Sequence, residues 1–149
     1  MDQQENCLIC SKHAGVSHLP PGGMIYEGRH FSVCHAPPEI ASLGTLFIEA
    51  NRHIIDYAEM TADELAAFGV LIGIVYRELK AAAGAERVYQ VTMVDGVPHF
   101  HTWLVSRRPE DEKGMKFLNQ DFHCDPADAK LLTAKLRQAI GNSITEINS

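Results

Sequence analysis

Three features of this chain predict an α+β domain. Runs rich in β-branched and aromatic residues at 24–27, 30–35, 44–50, 87–94 and 97–105 have the composition of strands. A single long helical pattern, with apolar residues at steps of three and four, separates the third run from the fourth. The dipeptide Asp95-Gly96 sits between the last two runs, where it predicts a tight hairpin and so an antiparallel sheet. The expectation is an antiparallel sheet of about five strands with one long helix and a C-terminal helix, in a single domain over residues 1–149.

Composition narrows the function classes. The apolar fraction of 46% and the charged fraction of 21% are ordinary for a globular protein with a core. A net charge of -6 speaks against a general nucleic-acid surface, which needs a basic face, but leaves room for a small anionic ligand. No apolar run is long enough to span a bilayer, since Gly73 and Arg77 interrupt the longest. The first six residues are polar and acidic, unlike a secretory signal, so a cytoplasmic location is expected. In that reducing compartment the four cysteines stay unpaired, and Cys7-Leu8-Ile9-Cys10 reads as metal or redox chemistry.

In chain order, the Cys-x-x-Cys knuckle comes first, with two thiolates spaced to grip one ion and His13 a nearby but weaker third donor. A Pro- and Gly-rich loop at 19–23 precedes two strands turned at Gly28. His30 and His35 on the second of these are expected to be ordinary structural histidines. The third strand, 44–50, ends just before His53. Thr61 and Glu64 then form a capping box, Asp63 adds favourable charge to the first turn, and Leu65, Phe68, Ile72, Val75 and Leu79 make one buried stripe. Val70, Leu71 and Ile74 widen that stripe, and Gly69 and Gly73 allow close approach, so a homodimer packed on this helix is expected. Gly84 is the stop. A solvated loop at 107–114 and a last helix from Asp125-Pro126, carrying Leu131, Leu132, Leu136 and Ile140, complete the chain.

The chemistry concentrates in His99-Phe100-His101-Thr102-Trp103. On a strand, His99, His101 and Trp103 share one face, and the two imidazoles lie about 6.5–7 Å apart, too far to bond each other. That spacing suits two separate tasks, one ring on a metal and one available for reaction.

Taken together, the Cys-x-x-Cys, the His after a strand, the capped helix and a hairpin ending in His-x-His before apolar residues and Arg resemble the histidine triad superfamily over residues 7–108. The resemblance implies that His101, at the middle position of the motif His-x-His-x-His, is the nucleophile. It implies that Cys7, Cys10, His53 and His99 hold a structural zinc, two thiolates and two imidazoles making a closed tetrahedral set. Leu8, Ile9 and Phe31 lie where the family builds an apolar base pocket, and Arg107 is a candidate donor to the phosphoryl oxygens. Trp103 stands where the family has its third His, and offers one indole N–H and no charge. No acid stands in the segment 35–39 where the family often holds the ribose, apart from Glu39 at its far end.

The function implied is a nucleotide hydrolase or nucleotidyl transferase. It attacks the α-phosphate of a phosphoramidate, dinucleoside polyphosphate or similar derivative through a nucleotidyl-histidine. The expected partner is a small nucleotide-type substrate, with no nucleic-acid polymer and no membrane. Two other readings stand beside it. One is a non-catalytic nucleotide-binding or interaction domain that keeps the structural zinc. The other is a Cys-x-x-Cys thiol redox protein, which would cycle Cys7 and Cys10 and hold no metal.

Overall fold

The computed structural model describes residues 6–148. Residues 1–5, part of the polar leader that spoke against a secretory signal, lie outside the described residues, as does 149. The elements are α1 (Leu8–His13), β1 (Tyr26–Glu27), β2 (Phe31–His35), β3 (Thr45–Ala50), α2 (Ala62–Ala82), β4 (Arg87–Val91), β5 (His101–Arg107), α3 (Met115–Leu118) and α4 (Pro126–Asn148). The strands form one sheet in the order β1-β2-β3-β5-β4, and every neighbouring pair is antiparallel. This is the α+β architecture expected from the element pattern.

The sheet divides the molecule into two sides. Directly opposed residues share a face, so Cys34, Phe47 and Trp103 form one cross-strand row, and Ser32, Glu49 and His101 the next. The alternate residues Val33, Leu46, Ile48 and Leu104 point the other way, into the main core. There they meet Phe68, Leu71, Ile74, Val75 and Leu79 of α2 and Leu132, Leu136 and Ile140 of α4. The two helices are tied across by Ser143 Oγ donating to Glu78 Oε1 at 3.0 Å. Among the described residues, no helix is long and apolar enough to cross a membrane.

α2 begins as its sequence predicts. Thr61 caps the Glu64 N–H and the Glu64 carboxylate accepts from the Thr61 N–H, completing the capping box. Its buried face is rotated from the expected stripe: Leu71 and Ile74 are at the centre, whereas Leu65 is 45% exposed and Val70 52%. The reason is that α4 packs beside α2 and draws in the flank that faces it, an influence no single-helix pattern contains.

The strand carrying the histidines also differs from expectation. Val91 pairs with Trp103, so 92–100 form a broad connection rather than a two-residue hairpin at Asp95-Gly96. Pro98 has no N–H to place in a ladder. His99 N–H turns back to the Val97 carbonyl at 2.8 Å, and Phe100 bonds to the Ile54 carbonyl and the Ala50 N–H instead of to β4. Burial of the Phe100 ring drives this choice. It is fully buried, 5.7 Å from Phe68, 6.4 Å from Phe31 and 5.1 Å from Tyr57 between ring centroids.

Two outcomes follow for stability. Phe100→Ala is expected to cost about 3–5 kcal/mol, read from the urea midpoint, because it empties the centre of an aromatic cluster. The Arg52 guanidinium, with help from the Thr61 backbone, holds the Glu64 carboxyl down at about 2 against its ordinary 4.5. A carboxyl depressed on folding stabilises fully above its ordinary value and loses that contribution as the pH falls from 4.5 toward 2. Glu64→Gln is therefore expected to flatten the acid limb of the stability-against-pH curve in that window. An acid limb of unchanged slope would remove Glu64 from its cause.

Candidate metal centre and active site

Four donors from three separate stretches converge at one end of the sheet. One ligand atom from each of Cys7, Cys10, His53 and His99 lies within 4.8 Å of all the others. Cys7 is the N-cap of α1, its Sγ facing the Cys10 N–H, so the helix turn itself brings both sulfurs to one side. His53 follows β3 and His99 precedes β5, which are neighbours in the sheet.

The separations suit one tetrahedral ion. His99 Nδ1 is 3.4 Å from Cys7 Sγ and 3.5 Å from Cys10 Sγ; His53 Nδ1 is 3.5 Å from Cys10 Sγ and 3.1 Å from His99 Nδ1. A zinc-sized ion with metal–sulfur bonds of about 2.3 Å and metal–nitrogen bonds of about 2.05 Å requires edges of about 3.6 Å and about 3.3 Å. The donors therefore fit the ion to a few tenths of an ångström. Their chemistry agrees: burial and the neighbouring Cys7 sulfur push the Cys10 thiol up to about 11, and burial lowers His99. A cation at the centre relieves both, since it favours thiolate and neutral imidazole. The outer nitrogen of His99 donates to the Ala50 carbonyl at 2.6 Å, which leaves Nδ1 as the inward lone pair. His53 Nε2 is buried with no hydrogen-bond partner among the described residues.

His101 sits on the same piece of backbone with a different task. Its Nδ1 is 2.8 Å from the His99 carbonyl, so in the neutral ring Nδ1 carries the proton and Nε2 is the lone-pair nitrogen. The ring is only 8% exposed and lines a cavity of about 230 Å³ shared with Leu8, Ile9, Lys12, Phe47 and Trp103. Trp103 stacks edge-on against Phe47 at 4.6 Å between centroids, and Phe47 meets the His101 ring edge-on at 6.1 Å.

Two candidates from the sequence lie elsewhere. Phe31 points to the α2 side of the sheet, 5.3 Å from Phe68, because strand parity sends it opposite to Ser32. Arg107 shares strand parity with His101 but lies six residues along β5, roughly 20 Å at strand rise. There it bonds Glu86 at 2.8 Å and the Arg108 carbonyl at 3.0 Å. Leu8, Ile9 and Trp103 do line the His101 cavity. His35, expected to be structural, accepts from the Gly44 N–H and donates to the Ala36 carbonyl, and burial lowers it.

Sequence reasoning missed Lys12, Glu49 and Phe47. Glu49 is the direct cross-strand partner of His101 and is almost fully buried. Lys12 Nζ and His13 Nε2 both bond it, the latter at 3.1 Å, and Lys12 also lies 5.1 Å over the Phe47 ring. Burial alone would raise the Glu49 carboxyl; His13 and Lys12 outweigh it and hold the group below the ordinary carboxylate range. The available signal was an acid inside an otherwise apolar strand, with Lys12 and His13 just past the Cys-x-x-Cys.

The donor set predicts one equivalent of bound divalent metal per chain by elemental mass spectrometry, lost in Cys7→Ser and in Cys10→Ser. Chelation of the wild type is expected to lower its thermal midpoint, while the two serine variants show no further change. Metal-free protein, or full occupancy in both variants, rules the site out.

No protein-family model matches the chain, and no curated protein matches it. Several solved structures share its architecture. A zinc-bound histidine triad family protein of Mycobacterium smegmatis superposes with a TM-score of 0.73 at 19% identity, over 96% of this chain and 99% of that one. A hypothetical histidine triad nucleotide-binding protein of Sulfolobus tokodaii gives 0.72 at 21% identity, over 91% and 93%. A HIT family protein of Bacillus anthracis gives 0.60 at 16% identity, over 95% and 96%. Matched over more than nine-tenths of both chains in each of these superpositions, this chain has the histidine triad fold.

Proposed function

We propose that the protein is a nucleotide hydrolase or nucleotidyl transferase in which His101 is the nucleophile and a structural zinc organises the site. The observation that carries this reading is the bond from His101 Nδ1–H to the His99 carbonyl. In the neutral ring it makes Nε2 the lone-pair nitrogen, on a side chain that lines a cavity. The likeness to nucleotide-binding and zinc-bound histidine triad structures supports the choice of ligand and metal.

In the first step Nε2 of His101 forms a bond to the α-phosphorus of a nucleotide derivative. The bond from phosphorus to the leaving group breaks, and its electron pair goes with the leaving group, which takes up a proton. In the second step water or another acceptor attacks the same phosphorus, the N–P bond returns its pair to His101, and the acceptor loses its proton to solvent. Dividing one displacement into two is the gain from covalent catalysis. The chain's own contribution is orientation: the His99 carbonyl holds the tautomer, and Phe47 and Trp103 pack the ring in place. Cys7, Cys10, His53 and His99 would hold the zinc, whose closed coordination supplies a rigid crosslink rather than a reactive position. Four cysteines without a disulfide suit a reducing cytoplasm, and the exposed Leu65 and Val70 of α2 suit a homodimer.

A second reading, a nucleotide-binding domain with little turnover, is favoured by one observation. Trp103 brings no charge to the cavity, and the lysine that lines it is already paired with Glu49. Loss of a donor to the phosphoryl oxygens costs about 10²–10³ in rate.

Brief mixing with adenosine 5′-phosphoramidate, followed by intact-protein mass spectrometry, separates the two. A nucleotidyl adduct that is absent in His101→Ala is the expected result, with turnover in that variant reduced by about 10³ or more. Binding of AMP without adduct or turnover in the wild type would falsify the enzymatic reading.

A further inference from the structure

When a nucleophile attacks an α-phosphate, the groups that face the non-bridging oxygens set much of the rate. The His101 cavity offers few of them, since Leu8, Ile9, Pro37, Ile40, Phe47 and Val97 are apolar. The other side chains lining it are His101 itself, Trp103, Lys12, Glu49 and His18. Trp103 has one uncharged indole N–H. Lys12 and Glu49 compensate each other, and the Lys12 ammonium also lies 3.5 Å from Cys34 Sγ and over the Phe47 ring. His18 differs from all of these. Among the described residues its side chain enters no hydrogen bond, ion pair or ring contact, and the residue is exposed.

The backbone goes to some length to put His18 there. α1 ends at His13, and residues 14–17 fold back over it. The Gly15 N–H bonds the Lys12 carbonyl and the Val16 N–H the Ser11 carbonyl, each at 3.0 Å, while Ser11 Oγ and Ser17 Oγ are 2.6 Å apart. His18 follows with a φ of 56°, and among the described residues it is the one side-chain-bearing residue in the left-handed region. Such a conformation is uncommon away from glycine and gathers at functional sites. A bonded partner does not account for it here, because the imidazole has none. Pro20 and Pro21 fix φ just beyond, so the turn is stiff on its far side as well. The outcome is a free imidazole on the wall of the cavity that holds the His101 ring.

We propose that His18 is a catalytic residue of the nucleotidyl transfer, its ring N–H donating to a non-bridging oxygen of the α-phosphate. This rests on the reading of His101 as nucleophile. Nε2 of His101 bonds to phosphorus, the bond to the leaving group breaks, and that group keeps the electron pair and takes a proton from water. His18 neither gains nor loses a proton in the step. It stabilises the transferring phosphoryl group, and more so in the transition state than in the bound substrate. A neutral imidazole has one N–H to give and an imidazolium two, so the residue serves in either form.

Glycine adopts the left-handed angle without strain, so His18→Gly removes the ring and leaves the turn in place. The purified full-length wild type and variant are compared on two substrates, adenosine 5′-phosphoramidate and the para-nitrophenyl ester of AMP, whose leaving group needs no proton. The variant is expected to keep the wild-type thermal midpoint and to lose about 10²–10³ in kcat on both, with KM little changed. An unchanged rate of adduct formation in the variant overturns the role of His18 alone. So does a loss seen only in KM, or one accompanied by a lowered thermal midpoint, since the ring would then serve binding or the fold. A loss confined to the phosphoramidate overturns it too, because His18 would then be protonating the leaving group. Absence of nucleotidyl transfer from both substrates in the wild type overturns the reading of His101 together with it.

Discussion

His99 couples two parts of the molecule through a single residue. Its ring contributes one of four donors to the metal cluster, and its carbonyl fixes the tautomer of His101. The ring is held from behind by the Ala50 carbonyl, on the strand adjacent to β5. Motion of the cluster therefore moves the peptide group that orients His101. The same cluster retains α1, which has six residues and buries only Ile9. A helix so short is unstable on its own. Yet α1 supplies Leu8, Ile9 and Lys12 to the cavity wall, so an ion that held Cys7 and Cys10 would also fix one side of the pocket.

The sheet keeps two incompatible environments apart. On the α2 and α4 side, β2, β3 and β5 present mainly apolar side chains to a continuous core. On the other side the same strands carry Cys34, Glu49 and His101, all buried. Burying Glu49 is unfavourable in itself, and its pairing with Lys12 and His13 offsets the cost rather than adding stability. Cys34 beside them is pushed far up by burial and by the Glu49 charge, so it stays a thiol and leaves Glu49 as the counter-ion to Lys12. The cavity thus holds a compensated charge pair and the His101 imidazole side by side, with Phe47 touching both Lys12 and the His101 ring.

Trp103 is where this site departs most from three histidines in a row. Indole in place of imidazole removes a chargeable donor from beside His101 and adds a large flat surface. Packed on Phe47, that surface borders both the His101 cavity and a separate apolar space lined by Met115 and Leu118 of α3.

Much of this was legible in the sequence because it is local. The capping box at Thr61 and Glu64 and the Cys-x-x-Cys turn act over three or four residues, and strand composition is a property of each run by itself. Their outcomes needed no knowledge of distant neighbours. The register of β5, the rotation of α2 and the membership of the cavity did need it. Phe100 left the expected hairpin because Phe31, Tyr57 and Phe68 offered its ring a buried place, and that shifted the pairing of the whole strand. Arg107 has the right face and the wrong distance, Phe31 the wrong face, and Glu49 meets Lys12 and His13 only because α1 lies over β3. The chain alone determined which groups are present and how each short segment folds. The tertiary structure decided which of them touch, since pairing register and helix rotation are chosen by burial against residues far away in sequence.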